Sequence, residues 1–228
     1  MENSSFSIPY MLDLFPKVFE YLQVTLVIAI IALILGLIMG IFLAIIKIYK
    51  ISFISFFVEL YVNFLRSTPF IVQLFLFYYG LASISDTVKN MSPEMALTIT
   101  LSINASAYIA EIIRGAIESV PIGQMEACLS CGMKEMQAMC KIILPQAIRV
   151  AVPSLSNTFV DLIKSTAIGF TIGVMEMLSR TQLANASSFR YLEGYITVAI
   201  IYWIVIVLFS CFQKKLENRL GRAYKKVK

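Results

Sequence analysis

The sequence has no histidine, a single tryptophan, and charged side chains at only 14% of its 228 positions. Without histidine, neither a Ser-His-Asp nor a Cys-His catalytic arrangement can form, and no metal site with imidazole ligands is available. The chain also lacks the G-x-x-x-x-G-K-[ST] loop that cradles nucleotide phosphates. We therefore expect a protein that is not an enzyme and has no catalytic residues, no metal site and no nucleotide of its own.

Four cysteines are present, but their spacing favours neither zinc nor disulfides. Cys128 and Cys131 form a single C-x-x-C, whereas Cys140 and Cys211 stand in unrelated contexts. A four-thiolate zinc site needs a second closely spaced pair. We expect these residues to be reduced and to serve as small side chains in packed helices.

Apolar residues dominate the composition. They make up 59% of the chain, and the mean hydropathy is +0.81, which exceeds what a soluble domain of this length could bury. Residues 25–46 carry no charge. At about 1.5 Å per residue, a helix of that length exceeds the roughly 30 Å hydrocarbon core of a bilayer, and it is too long for the core of a signal peptide. The sequence predicts an all-α integral membrane protein.

Apolar segments along the chain predict five spans within one transmembrane domain, residues 1–228, with its core at about 16–220 and a basic tail at 213–228. The spans run approximately over Leu22–Ile46, Pro69–Gly80 with flanking residues, Met95–Ala116, Ala147–Val174 and Gly194–Phe212.

Basic residues predict the orientation of the chain. Lys and Arg outnumber Asp and Glu by 19 to 14, and seven of the cations follow the last span: Lys214, Lys215, Arg219, Arg222, Lys225, Lys226 and Lys228. The positive-inside rule places such a tail in the cytoplasm, so that five spans leave the N-terminus outside. The predicted inner loops then carry Lys47, Lys50, Lys134, Lys141 and Arg149, and the outer loops carry Lys17, Lys89, Arg180 and Arg190. Contact of the tail with anionic lipid is compatible with this topology.

Polar residues interrupt the second span. Glu59, Asn63 and Arg66 precede Pro69 in an otherwise apolar stretch. Charges inside hydrocarbon are costly, and a proline disfavours helix at the residue before it. We expect a helix at the cytoplasmic interface, a break, and then a short span. Because the three polar side chains share one helical face, we also expect them to form a buried polar seam.

Two pairs of glycines stand four residues apart. Gly36 with Gly40 lies in the first span, and Gly169 with Gly173 lies in the fourth. This spacing lets a neighbouring helix approach closely in lipid. We favour packing within the chain over a seam between two copies.

A polar insert at residues 121–145 separates the third span from the fourth. Pro121 and Gly123 should stop the third helix, Gly132 allows a turn with positive φ, and Pro145 should end the helix that follows. The expected product is a helix-turn-helix elbow, in which Glu126 offers a carboxylate to a basic partner. An interfacial hairpin without a partner is the alternative.

The elbow carries the pattern E-A-C-x3-G-x9-I-x-L-P, which runs from Glu126 to Pro145. This pattern resembles the cytoplasmic ATPase-docking loop of ABC importer permeases. Further blocks resemble the polar amino-acid subfamily of these permeases: Arg66-Ser67-Thr68-Pro69, Gln73 with Tyr78-Tyr79-Gly80, Ala107 to Ile117, Val120 to Gln124 and Leu144 to Arg149. The resemblance covers roughly residues 16–220.

The resemblance implies a type I ABC importer permease fold, with about five transmembrane helices and a cytoplasmic coupling-helix elbow. It implies an amino-acid importer in a bacterial cell membrane, whose other parts are an ABC ATPase, an extracytoplasmic amino-acid-binding protein and a second permease copy or paralogue. ATP and magnesium would be bound by the ATPase, and no cofactor by this chain. The implied docking residues are Glu126, Ala127, Cys128, Gly132, Leu144 and Pro145; Met125, Met133, Met136 and Met139 would add adaptable apolar contact.

The chain departs from the family pattern at two places. Cys128 stands where alanine is common, which is a near-isosteric exchange. The family often has an acid after Leu162-Ile163-Lys164, where this chain has Ser165. The missing acid disfavours a cationic substrate such as arginine, although Asp161 could compensate.

The fourth span is the candidate substrate pathway. Thr158, Asp161 and Ser165 share a helical face, with Lys164 beside them, and Gln73 of the second span completes the candidate set. A zwitterionic amino acid needs a hydrogen-bond acceptor and a donor, and ionisable residues inside a membrane usually face a cavity or pair with one another. The alternative is therefore an internal ion pair of Asp161 with Lys164 that only orients helices.

The expected substrate is a polar amino acid. Ser188 to Glu193 resembles the same segment of permeases for cystine, which makes cystine a candidate. A channel or proton-coupled carrier that works without ATP is the alternative function, with Glu111, Arg114, Asp161 and Lys164 as a charge relay. A membrane scaffold that recruits an ATPase without transport is a third possibility.

Overall fold

The computed structural model describes residues 6–221, and every regular element in that part of the chain is helical. The α-helices are α1 Ile8–Phe19, α2 Leu22–Ile48, α3 Ser52–Ser67, α4 Phe70–Phe75, α5 Asp86–Lys89, α6 Pro93–Glu118, α7 Ile122–Ser130, α8 Glu135–Ala138, α9 Leu144–Ser165, α10 Met177–Ser188 and α11 Tyr191–Gly221. The all-α prediction is confirmed. Four cations of the basic tail, Arg222, Lys225, Lys226 and Lys228, lie outside the described residues.

Four helical stretches of the described chain are long and apolar enough to cross a membrane: Leu22–Ile48, Pro93–Glu118, Glu135–Ile172 and Tyr191–Arg219. A fifth crossing forms if the broken pair Phe53–Ser67 and Phe70–Ser83 counts as one span. The prediction of five spans is confirmed on that count. The fourth span differs from the prediction, because α9 ends at Ser165 and the chain continues to Ile172 as a tighter 3₁₀ helix.

The predicted break in the second span lies between α3 and α4. Thr68 has an extended backbone, with φ −109° and ψ 144°, and Pro69 follows it. The hydroxyl of Thr68 donates to the carbonyl of Phe64 at 2.8 Å, which satisfies one of the last carbonyls of α3. The break thus forms where the proline disfavours helix.

The predicted polar seam on α3 is wrong for the described chain. Glu59, Asn63 and Arg66 are all exposed. The helix instead buries the apolar stripe of Val58, Val62 and Leu65, which repeats at the i, i+4 and i+7 spacing of a helical face. Burial of three apolar side chains is more favourable than burial of a carboxylate, an amide and a guanidinium.

The chain divides into two compact units. The first contains residues 6–33, 70–101 and 160–210. Its apolar core joins α1 to α10 and α11 through Leu14, Val18, Met177, Ala184, Val198 and Ile201. Tyr10 on α1 also forms a 2.8 Å hydrogen bond with Ser188.

The second unit contains residues 34–69, 102–159 and 211–221. Small side chains let α2 lie close to α6: a Cβ at Gly40 would stand 2.6 Å from Ile109 Cγ2, and one at Gly36 would stand 3.0 Å from Ala105 Cβ. The prediction that this glycine pair packs within the chain is confirmed.

The two glycines of the other pair, Gly169 and Gly173 in the first unit, have different roles. Gly169 packs against Leu97, since a Cβ there would stand 2.6 Å from Leu97 Cδ2. Gly173 has a φ of +89° and no neighbouring atom within 4 Å of such a Cβ. Only Gly169 serves packing, and Gly173 ends the 3₁₀ helix in the left-handed conformation that glycine adopts without strain.

The cysteines are free thiols, but the prediction that they pack inside helices is wrong for three of them. Cys131, Cys140 and Cys211 are exposed, and Cys128 is half-buried. The exposed ones lie in the elbow and on α11, on faces that the described residues 6–221 do not cover.

We predict opposite effects for two alanine substitutions on α2 and α6. Gly40→Ala should lower the free energy of unfolding by about 1–3 kcal/mol, because the new methyl group overlaps Ile109. Gly115→Ala, whose Cβ would meet no atom within 4 Å, should be neutral or stabilising by up to about 1 kcal/mol, since alanine favours helix. Thermal unfolding in detergent measures both, and equal shifts for the two variants would contradict the close packing of α2 on α6.

Candidate functional site

The first half of the elbow follows the end of α6 at Glu118. Pro121, with φ −55° and ψ 129°, is the N-cap of α7, and the third span has therefore ended before Gly123, which lies inside α7. Gly132 has a φ of +80°. The Gly132 amide donates to Leu129 O at 2.9 Å and the Met133 amide to Cys128 O at 3.1 Å. These two bonds form a Schellman motif, and the predicted turn at Gly132 is confirmed.

The second half of the elbow runs into α9 without a stop. α8 is followed by a single wide π turn at Met139–Ile143, and α9 starts at Leu144. Pro145 lies in the first turn of α9, directly after the π turn, whose closing bond runs from the Leu144 amide to the Met139 carbonyl. Because the π turn already interrupts the regular i→i−4 hydrogen bonds, a residue without an amide hydrogen is accommodated there. The prediction that Pro145 ends a helix is therefore wrong.

The predicted docking residues lie mainly on the surface of the elbow. Glu126, Ala127, Gly132 and Pro145 are exposed, and Cys128 and Leu144 are half-buried. Among the described residues the Glu126 carboxylate has no ion-pair partner. The two ends of the elbow are tied by a hydrogen bond between the side chains of Gln146 and Gln124. A carboxylate and a small side chain, those of Glu126 and Ala127, are thus presented side by side on α7.

Apolar side chains line a cavity of about 480 Å³ within the second unit, beside the elbow. Met136 and Met139 line it together with residues of α2, α6 and α9. These two methionines therefore face other helices of this chain, although Met136 also remains 61% exposed. Met125 and Met133 are half-buried.

The candidate pathway residues of the fourth span all lie on α9. Asp161 and Lys164 form an ion pair with a distance of 2.6 Å between Oδ1 and Nζ, and both side chains are more than half exposed. Ser165 ends the helix, and Thr158, about two turns before Ser165 and in the second unit, donates to the Ser154 carbonyl at 3.1 Å. Gln73 is buried on α4. The internal pair that we named as an alternative is present, and its exposure leaves both groups accessible to a ligand.

The sequence model of a family described as a binding-protein-dependent transport system inner membrane component matches residues 32–222. The chain belongs to this family, the permeases of type I ABC importers. PatM of Vibrio harveyi, a probable amino-acid ABC transporter permease, is 44% identical over 219 residues, which cover 96% of this permease and 98% of PatM. TcyL of Bacillus subtilis strain 168, an L-cystine transport system permease, is 37% identical over 215 residues, which cover 92% of this permease and 90% of TcyL.

Two solved structures share the fold of this permease. A chain of an amino acid ABC transporter crystallised with histidines superposes with a TM-score of 0.88 at 35% identity, covering 94% of this permease and 99% of that chain. A chain of the methionine transporter MetNI in an inward-facing conformation gives a TM-score of 0.72 at 24% identity, which shows likeness of fold alone. The predicted fold class is confirmed.

The permease contains a buried polar cluster that the sequence analysis missed. Glu176 has no exposed surface, and its carboxyl group accepts hydrogen bonds from the amide of Ser179 at 2.8 Å and the hydroxyl of Tyr202 at 2.9 Å. Glu176 is the N-cap of α10, a helix that the apolar segments did not indicate. The available signal was an acid three residues before Ser179, which follows the sequence Gly173-Val174-Met175.

The residues of the charge-relay alternative have partners inside the permease. Glu111 and Arg114 are bonded to each other at 2.8 Å on α6, as Asp161 and Lys164 are on α9. Each pair is local to one helix, at the i, i+3 spacing. Such pairs stabilise a helix whether or not protons move along it, so they do not favour a carrier.

Proposed function

We propose that this chain is the membrane-spanning subunit of an ATP-driven amino-acid importer, coupled through its elbow to an ATPase on a separate chain. The observation that carries the proposal is the elbow of residues 121–145, which exposes Glu126 and Ala127 on α7, a helix closed by two hydrogen bonds at Gly132 and Met133. Amino-acid transporter permeases among the relatives support the substrate class.

ATP hydrolysis belongs to a partner in this proposal, because the sequence contains no phosphate-binding loop. Glu126 pairs with a basic residue of the ATPase, and the small side chains of Ala127 and Cys128 let that surface approach closely. Gly132, Leu144 and Pro145 hold the shape of the docking surface. ATP and magnesium bind to the ATPase and not to this chain.

The elbow acts as a lever in an alternating-access cycle. A loaded amino-acid-binding protein docks outside, ATP closes the two ATPase subunits, and the elbows of two permease copies, or of a copy and a paralogue, move together. The paired spans then open outward and receive the amino acid, and hydrolysis returns them inward. The N-terminus is outside and the C-terminus in the cytoplasm, as the basic residues of the sequence indicate.

The substrate is a polar amino acid, with cystine as the leading candidate because TcyL is a cystine permease. The segment from Ser188 to Glu193 gives limited support. Arg190 pairs with Glu193 at 2.9 Å and lies 5.6 Å from the centre of the Tyr10 ring, so these polar groups serve the fold of the first unit. Phe189 and Leu192 are exposed and offer an apolar surface to a binding protein.

Asp161 and Lys164 receive the substrate in this proposal. The exposed pair can open so that the carboxylate accepts from the ammonium group of an amino acid while the lysine donates to its carboxylate. Thr158, Ser165 and Gln73 supply neutral polar groups along the path.

We predict that Glu126→Lys and Gly132→Pro each abolish coupling at the elbow. The first variant repels a basic partner, and the second places a residue restricted to negative φ where φ is +80°. Uptake by the complete transporter in proteoliposomes should fall at least about tenfold in both, a change of roughly 1.4 kcal/mol or more. Membrane insertion should be unchanged.

Glu135→Lys is the matched control for Glu126→Lys. Glu135 is also exposed and lies across the same turn, in the first turn of α8, but outside the docking set. Uptake should stay close to that of the unmodified transporter. Normal uptake in both elbow variants, or uptake driven by a proton or sodium gradient without ATP, would overturn the proposal in favour of a carrier.

We predict that Asp161→Asn lowers uptake about tenfold at saturating loaded binding protein, because the ammonium group loses its acceptor. ATP hydrolysis without binding protein should not change. Asp13→Asn is the control, since Asp13 forms an equally short and exposed pair with Lys17 on α1. If both variants transport normally, Asp161 and Lys164 only orient the helix.

A further inference from the structure

Glu111 on α6 is surrounded by cations from three helices of the second unit. Its Oε1 accepts from Lys47 Nζ at 2.5 Å, and its Oε2 accepts from Arg114 Nη2 at 2.8 Å and Nε at 3.2 Å. Arg66 Nη1 lies 3.8 Å from the same Oε2. Both oxygens of one carboxylate are therefore engaged.

Two cations of this cluster lie at the C-terminal ends of their helices. Lys47 lies in the last turn of α2 and Arg66 in the last turn of α3, where a positive charge is favoured by the partial negative charge of the helix terminus. The guanidinium of Arg66 also lies 5.8 Å from the centre of the Tyr108 ring on α6. Glu111 thus connects α6 to both preceding helices through charged groups.

The degree of burial makes the link stiff. The side chains of Lys47 and Glu111 are only 15% and 16% exposed, so water competes weakly for their hydrogen bonds. Arg114 uses its third nitrogen, Nη1, on Glu118 of the same helix, at 2.5 Å, and the Glu118 side chain is 60% exposed. The exposed pair of Arg114 with Glu118 lies within α6, whereas the buried pair of Glu111 with Lys47 joins α6 to α2.

We infer that Glu111 is a positioning residue of transport, which transmits displacement of the elbow to α2 and α3. α6 ends seven residues after Glu111 and leads directly into the elbow helix α7. A movement of the elbow therefore shifts the Glu111 carboxylate and, through its ion pairs, Lys47 and Arg66. Arg66 stands two residues before Thr68, where the backbone is extended and the chain breaks between α3 and α4. This inference rests on the proposed coupling to ATP.

The test is the number of amino-acid molecules transported per ATP hydrolysed by the complete transporter in proteoliposomes. Glu111→Gln removes the charge that holds the cations and should lower this ratio about fivefold or more, within the range of coupling between linked sites. Glu111→Asp keeps the charge and should recover part of the loss. A residue with only a structural role would change yield and thermal stability but not the ratio.

Glu118→Gln is the matched control, because it removes a carboxylate from the same helix and a partner of the same arginine without touching α2 or α3. The ratio should remain that of the unmodified transporter. Since Glu111→Gln leaves Lys47 buried without its partner, a second variant combines Lys47→Met with Glu111→Leu. Apolar replacements fill the space, so this variant should fold and still show the lowered ratio.

The outcomes separate this inference from the proposed function. If the unmodified transporter shows no vanadate-sensitive uptake driven by ATP, the proposed function fails, and this inference fails with it. The unmodified transporter can instead be coupled to ATP while Glu111→Gln and the combined Lys47→Met with Glu111→Leu keep its number of molecules transported per ATP. In that case Glu111 is a structural residue, and only this inference is overturned. A fall in the ratio for Glu118→Gln equal to that for Glu111→Gln would also overturn it.

Discussion

A backbone amide or carbonyl without a partner costs several kcal/mol in hydrocarbon, and this constraint governs the fold. Within residues 6–221 every regular element is a helix, which bonds its own backbone amides to its own carbonyls. Interruptions occur where a local group replaces the missing bonds. The Thr68 hydroxyl caps α3 before Pro69, a Schellman motif closes α7 at Gly132, and Glu176 caps α10. The elbow contains one of these interruptions, at Gly132, where the chain changes direction.

Close approach of helices follows from the same environment, since lipid offers no hydrophobic drive between them. Gly36 and Gly40 bring α2 against α6, and a core of Ala44, Ala107 and Ala110 continues the contact. This closeness places Lys47 within reach of Glu111 at the end of the same pair of helices. Packing by small residues and the charged cluster are therefore two parts of one contact between α2 and α6.

Sequence patterns predicted what depends on local chemistry. The spans, the break at Pro69 and the positive φ of Gly132 all follow from hydropathy, proline and glycine. Sequence patterns gave wrong or missing predictions where contacts with other parts of the chain determine the structure. Pro145 is accommodated by the π turn before it. The apolar stripe of α3 determines which face of that helix is buried. Glu176 is buried because its carboxylate accepts a 2.9 Å hydrogen bond from the hydroxyl of Tyr202, which lies 26 positions away in sequence. The docking and pathway residues remain predictions, since their partners are other molecules.

The central claim is that the elbow joins this permease to a separate ATPase. It is tested most directly by purifying the tagged chain from its native membranes in mild detergent and identifying the accompanying proteins by mass spectrometry. The account predicts an ATPase with a phosphate-binding loop in a fixed ratio to the permease, which Glu126→Lys removes. A chain that emerges without an ATPase, with a profile that Glu126→Lys leaves unchanged, would contradict the account.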